Sequence, residues 1–489
     1  MFIGDLLIAH GLVTAADVAA ALDHQKVHGG RLGDALISLG KLGAADLEAV
    51  LQSAPVAPNT IEETGLQLSD MLNLMTKIMY TSGAETPSAI ADAIKFSNRI
   101  VQLLLDQASE RKLLEILGSA SLRIASEMRY ALTEKGKTWA TEALAQNQYV
   151  GPAPVSLSAY CDRIQRQRIT NERVDRKAID RAFADLVISR DFIQQIGPAI
   201  NSGQAILLYG PPGNGKTTVG ERIGEIFSSI AYIPYCFEVE GQIIKVFDTG
   251  VHQALQQPTG NSVKRGAVRR EDFDARWVPC RRPFIVAGGE LTLEMLDLSF
   301  NPSAKFYEAP LHVKALGGIF MIDDFGRQKV SPEALLNRWI VPLGRRVDYL
   351  KLHTGKSFSF PFDELVIFST NLSPQDLMDP AFLRRIPYKL EIAGPSVAEY
   401  RQIFSLLSTA AGMEAKAETI DFVIAALHDR NDMPLASYQP KFILDQLNAA
   451  CKFAGIPPQF QPGLLAMALD NLAIPAKPGG VVPSNGRAS

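Results

Sequence analysis

The stretch AILLYGPPGNGKTTVGERIGEIF, residues 205–227, decides the fold. Its first five residues form a short apolar run suited to a buried parallel strand, and the segment after Lys216 has helical spacing. Between them stand Gly210, Pro211, Pro212, Gly213, Asn214, Gly215, Lys216, Thr217 and Thr218, the spacing G-x-x-x-x-G-K-T. The glycines let successive backbone N–H groups turn inward around phosphate oxygens, and the helix start adds positive potential. Lys216 then meets the β- and γ-phosphates while the Thr217 hydroxyl binds a metal ion. The expected cofactors are ATP and Mg²⁺, held by Gly210 through Thr218.

Two further apolar runs end in polar residues. GGIFMIDDFGR, residues 317–327, closes on Asp323 and Asp324, and LVIFSTN, residues 365–371, closes on Asn371. Ligands meet parallel sheets at the C-terminal edges of their strands. Asp323 is expected to hold Mg²⁺ through water and Asp324 to orient the attacking water. Carboxylates left at a strand end without local cations are costly unless they serve a ligand.

In this order and spacing the three motifs resemble the AAA+ ATPases, over about residues 187–474. The resemblance makes Asn371 the sensor 1 residue and gives AFLRRIPYKLEI the arginine finger, Arg384 or Arg385, which reaches a neighbouring subunit's γ-phosphate. SVAEYRQIFSLL, ETIDFVIAALHDR, PKFILDQLNAACKFAG and PGLLAMALDNLAI read as four amphipathic helices, the family's lid. Lys441 takes the sensor 2 position, with charge but no planar fork. Most members carry glutamate where Asp324 stands, so slower hydrolysis is expected. A β-hairpin before the Asn371 strand points to the clade of MoxR-type chaperones and enhancer-binding activators, although the activators' GAFTGA is absent. The resemblance implies a homo-oligomeric ring, drawn as a hexamer, acting on a protein substrate.

The N-terminus is a repeat: IGDLLIAHGLVTAADVAAAL from Ile3 recurs as LGDALISLGKLGAADLEAVL from Leu32. Thr14 and Asp17 have capping-box spacing. Both copies resemble the N-terminal domain of type II secretion and type IV pilus ATPases, whose RLG motif, here Arg31, Leu32 and Gly33, implies cyclic di-GMP as a ligand beside plain protein docking. Phe2 replaces the arginine in the first copy. Residues 62–147 resemble a winged helix, with a long helix from Asn98 to Leu117 and a wing over Arg123 to Leu132. Acidic Asp106, Glu110 and Glu115 on that helix favour a protein partner, with nucleic acid left open.

The expected organisation is a repeat domain 1–54, a winged-helix-like domain 62–147, a helical linker 148–186, a nucleotide-binding core 187–394, a lid 395–475 and a disordered tail 476–489. The interleaved charges of CDRIQRQRITNERVDRKAIDRAF in the linker read as a solvated face. The long segment between the phosphate loop and Asp323, basic at Arg265, Arg269, Arg270, Arg281 and Arg282, is expected to carry either a substrate-engaging loop or a solvated hairpin with no partner contact.

The 489 residues allow several cores, and 47% apolar and 21% charged residues with net charge −3 describe a soluble globular chain. Four dispersed cysteines suit a reducing compartment, and neither a leader nor a membrane span is read, so a cytoplasmic location without membrane insertion is expected. The fold class is α/β, a P-loop parallel core with a helical lid, preceded by the two small domains. Function is expected as ATP-driven remodelling. The alternative is an ATP-binding switch with slow turnover that docks DNA or a transcription partner.

Overall fold

The computed structural model describes residues 11–28, 32–43, 54–119, 127–255, 273–377, 380–431 and 433–472, together with 4, 7, 8, 46 and 47. In the repeat, α1 (Ala15–His28) packs on α2 (Leu32–Ser38). Thr14 N–H donates to Asp17 Oδ2 at 3.0 Å and Asp17 N–H donates to Thr14 Oγ1 at 3.2 Å, satisfying two orphan donors of the helix start. Leu32, Leu36 and Leu47 are buried, and a Cβ at Gly33 would stand 2.6 Å from a Leu47 methyl. Gly33 therefore serves packing within the second copy, while Leu32 reaches the first, where a Cβ at Gly4 would stand 3.2 Å from a Leu32 methyl. Phe2 and Arg31 lie outside the described residues, as does the tail.

The second domain runs α3 (Leu68–Ser82), α4 (Pro87–Ile94), α5 (Asn98–Glu110), β1 (Leu114–Ser119), β2 (Met128–Leu132) and α6 (Glu134–Gln146). Thr86 caps α4 and Ser97 caps α5 through their hydroxyls. The helix expected to reach Leu117 stops at Glu110, because Lys112 takes φ +58° and reverses the chain. Leu114 then pairs with Leu132 in the antiparallel wing. Arg123 lies outside the described residues.

Residues 148–186 are not a linker. β3 (Val155–Ser156) joins a sheet, α7 (Leu157–Arg166) buries Tyr160 and Ile164, and α8 (Arg176–Ala182) packs on the helix after the phosphate loop. Arg163, 8% exposed, sits 5.4 Å from the Tyr232 ring centre and 5.8 Å from that of Trp277. The solvated-face reading fails there because a planar guanidinium stacks on aromatic rings.

After α9 (Arg190–Ser202) the chain enters the core sheet at β4 (Ile206–Tyr209) and leaves it in α10 (Lys216–Ile226). An insertion follows, β5 (Ile230–Pro234), β6 (Cys236–Val239), β7 (Gln242–Lys245) and β8 (Trp277–Arg281). The chain then returns in β9 (Phe284–Ala287), detours through β10 (Ser299–Asn301) and β11 (Phe306–Glu308), and reaches β12 (Ile319–Ile322). Next come α11 (Pro332–Arg345), the hairpin β13 (Val347–Lys351) and β14 (Ser357–Pro361), then β15 (Leu365–Thr370) and β16 (Tyr388–Glu391). The parallel core has the order β16-β4-β15-β12-β9, so β4 and β12 flank β15 and their ends converge.

The long segment between α10 and β12 is thus built structure in its described part. β7 and β6 lie in a second sheet, β10-β11-β7-β6-β3, and Phe360 of the hairpin stacks on Phe237 with ring centres 5.5 Å apart. Arg282, expected on a substrate-engaging loop, is buried: it pairs with Glu172 at 3.3 Å, and donates to Ser229 Oγ and to the carbonyls of Gln167 and Gly317. Arg281 remains exposed, while Arg265, Arg269 and Arg270 lie outside the described residues.

The lid is α12 (Val397–Ala410), α13 (Ala417–Asn431), α14 (Tyr438–Ala454) and α15 (Pro462–Leu472), with its own core of Tyr400, Phe404, Val423, Ile443, Leu447 and Leu469. The fold is α/β, a P-loop parallel core followed by a helical lid. No described helix is long and apolar enough to cross a membrane.

Candidate nucleotide site

The four residues of β12 and six of β15 are all buried. Burial on both faces selects their apolar side chains and leaves the polar ones for the ends. The turn after β12 is shaped by neighbours: Phe325 N–H donates to Ser369 O at 2.6 Å, Thr370 Oγ1 to Phe325 O at 2.7 Å, and Gln328 Nε2 to Asp323 O at 2.8 Å. Gln328 was not singled out from the sequence, and a lone glutamine four positions past the acidic pair gave no signal. Asp324 is held at φ +49°, in the left-handed region that Asp tolerates better than most residues.

Three strand ends meet at the loop. Thr217 Oγ1 donates to Asp323 Oδ2 at 2.7 Å. Lys216 Nζ donates to Asn371 Oδ1 at 2.7 Å and to the carbonyls of Gly210 and Pro211 at 3.0 and 2.9 Å. Asn371 Nδ2 in turn donates to Asp324 Oδ1 at 3.2 Å. Lys216 is only 7% exposed, and burial lowers its pKa from the ordinary lysine value while the Asp323 and Asp324 carboxylates oppose that shift. An ammonium gathered by three oxygens in a half-closed site can exchange its two loop carbonyls for phosphate oxygens.

The donor set fits a magnesium nucleotide. A hydroxyl and a carboxylate in contact are hard oxygens of the kind Mg²⁺ takes beside water and phosphate. Gly210, Gly213 and Gly215 have φ of +141°, +79° and +84°, the backbone freedom the loop's turns require. Beside the loop a cavity of about 190 Å³ is walled by Val187, Ile188, Phe192, Val219, Ile392 and Pro395, with Asn214 and Ser437 at its edge. Ser189, Glu391 and Glu399 also line it, so apolar walls alternate with polar groups, a mixture that suits a planar base with hydrogen-bonding edges.

The remaining expected residues are farther from this cluster in their contacts. Lys441 is 69% exposed and its ammonium is paired with Asp445 at 2.7 Å, one helical turn along α14. Arg384 is exposed and Arg385 partly buried, just past a single helical turn, Pro380–Leu383, that precedes β16. The lid instead touches the loop through residues that sequence reasoning missed: Ser437 N–H donates to Asn214 Oδ1 at 3.0 Å and Tyr438 N–H to Gly213 O at 2.9 Å. Backbone donors leave no mark in a sequence.

Fold and site together define an α/β protein of the P-loop class. A family model described as "Domain of unknown function (DUF8689)" matches residues 396–471, the lid. No curated protein matches the chain. Among solved structures, NtrX from Brucella abortus is similar at 14% identity and a TM-score of 0.35, over 61% of this chain and 58% of that one. NtrX in complex with ADP aligns at 12% identity and a TM-score of 0.37, over 63% of this chain and 59% of that one. The Thermotoga maritima RuvB Holliday junction branch migration motor aligns at 14% identity and a TM-score of 0.31, over 58% of this chain and 70% of that one. Likenesses of this order carry no argument about what the chain does.

Proposed function

We propose that this chain is an ATPase of the AAA+ kind, binding ATP with Mg²⁺ at Gly210 through Thr218 and hydrolysing it between subunits of a homo-oligomeric ring to remodel a protein partner. The observation that carries the reading is the chain of contacts from Lys216 through Asn371 to Asp324, beside the Thr217–Asp323 pair. Lys216 would neutralise the β- and γ-phosphates, Thr217 and Asp323 would hold the metal ion, and Asp324, oriented by Asn371, would align the attacking water. The metal supplies charge neutralisation across the phosphates. The base would fill the cavity beside Val187 and Ile392.

Water activation needs a carboxylate at the right reach, and Asp324 is one carbon shorter than glutamate, so a low turnover is expected. Arg384 or Arg385, supplied from the next subunit, would stabilise transferred charge, an effect worth about 10³–10⁵ in rate in related systems. The repeat domain and the winged-helix-like domain each share a hydrophobic cluster with the β insertion, and these modules would select the partner. The test is steady-state ATPase rate against concentration of the full-length chain. A specific rate that rises with concentration supports hydrolysis between subunits. Tight ATP binding with a flat, negligible rate would instead favour the ATP-binding switch.

A further inference from the structure

The lid helix α14 begins in an unusual way. Its first residues must find acceptors for N–H groups that have no partner within the helix. Ser437, at the cap position, makes no side-chain cap. Its own N–H donates to Asn214 Oδ1 at 3.0 Å, and the next N–H, of Tyr438, donates to Gly213 O at 2.9 Å. The phosphate-binding loop is therefore the cap of the lid helix.

Two side chains lock this joint. Asn214 is 7% exposed, and its amide nitrogen also reaches Pro211 O at 3.5 Å, so one buried side chain ties the loop to itself and to the lid. The Tyr438 ring lies against Gly213, where a Cβ would stand 2.3 Å from the ring's Cδ1. Lys441, the charged lid residue expected to read the phosphates, is turned to Asp445.

We propose that Asn214 and Tyr438 form a latch that couples nucleotide occupancy to lid position through the backbone of the loop, in place of a charged lid side chain. When the loop turns its N–H groups onto phosphates the peptide carbonyls opposite them turn away, and the Gly213 carbonyl is the one that accepts from Tyr438 N–H. A loop conformation set by nucleotide then sets how well α14 is capped, and with it the resting place of the lid. Both are positioning residues, and the coupling rests on the ATPase reading above.

The experiment uses the full-length protein with a fluorescent ATP analogue, steady-state turnover, and hydrogen exchange at residues 435–441 with and without the slowly hydrolysed analogue ATPγS. In the wild type, nucleotide slows exchange at 435–441. Tyr438→Ala and Asn214→Ala lower kcat about tenfold with little change in KM, and remove the nucleotide-dependent protection. Tyr438→Phe keeps both, because the ring and not the hydroxyl rests on Gly213. That rescue separates a latch from general damage to the fold. Wild-type turnover and protection in both alanine variants would overturn the latch, as would loss of both in Lys441→Ala alone. Failure of the ATPase reading registers separately, as no binding of the analogue to the wild type. Exchange at 435–441 without nucleotide then decides the cap itself: faster in Asn214→Ala, which loses the acceptor of Ser437 N–H, than in the wild type if the loop caps the helix, equal if it does not.

Discussion

Asn371 Oδ1 accepts a hydrogen bond from Lys216 Nζ at 2.7 Å, joining the tip of β15 to the first residue of α10. The same amide donates to Asp324, so one neutral side chain holds a cation and a carboxylate apart at fixed distance. Asn371→Ala frees both. Lys216 retains its loop carbonyls and still meets phosphate, whereas Asp324 loses its only side-chain donor recorded among the described residues. ATP affinity is therefore expected to change little and turnover to fall about a hundredfold. Lys216→Ala, in contrast, removes binding outright. Equal losses of affinity in the two variants, measured with the fluorescent analogue, would contradict this division of roles.

The left-handed backbone at Asp324 sets up a second contrast. Asparagine tolerates that conformation and nearly matches aspartate in shape, so Asp324→Asn removes the charge without straining the turn. Its expected outcome is intact ATP binding, an unchanged thermal midpoint and turnover lowered about a hundredfold. Asp324→Glu lengthens the carboxylate but puts a residue less suited to positive φ into the turn, at a cost of about 1 kcal/mol. Its thermal midpoint should fall. Turnover in Asp324→Asn equal to that of the wild type would remove Asp324 from catalysis.

The parts of the fold visible in the sequence are those whose physics is local. β4, β12 and β15 are apolar runs that lead into the phosphate loop or end in polar residues, and each lid helix repeats its apolar face within its own length, so their positions could be read directly. The insertion could not. β6 and β7 are four residues each, and β11, which pairs with β7, comes only after β8, β9 and β10. Such pairings leave no periodic trace. Arg163 and Arg282 misled for a related reason: charge in a sequence reads as exposure until the aromatic rings and carbonyls that receive it are brought together by distant strands. At the site, the side chains around the phosphate loop were legible because their chemistry names them, while the lid contact was not, because it runs through the amides of Ser437 and Tyr438.

The start of β15 carries a pH-dependent load that is separate from the nucleotide site. Asp363 has a side chain 12% exposed, and burial raises its pKa to about 6, a shift that outweighs the pull of Arg168, 3.6 Å away, and of Arg346. A carboxyl whose folded pKa lies above its unfolded value opposes folding at any pH where the unfolded chain ionises it. Below about pH 4 the group is protonated in both states and has no effect on stability. As pH rises through the interval up to about 6 the unfolded chain ionises more readily, and stability is lost. Above that interval the loss is complete, at most about 3 kcal/mol. Asp363→Asn keeps the shape and cannot ionise, so its thermal midpoint should exceed that of the wild type at pH 8, with the advantage shrinking as pH falls toward about 4. Melting both proteins across that range measures the difference, which includes the relief of the adjacent buried Glu364, whose pKa the Asp363 carboxylate helps raise. An advantage independent of pH would mean that the carboxylate is not strained by burial. One that grew toward low pH would mean that Arg168 and Arg346 hold it ionised, with attraction outweighing desolvation.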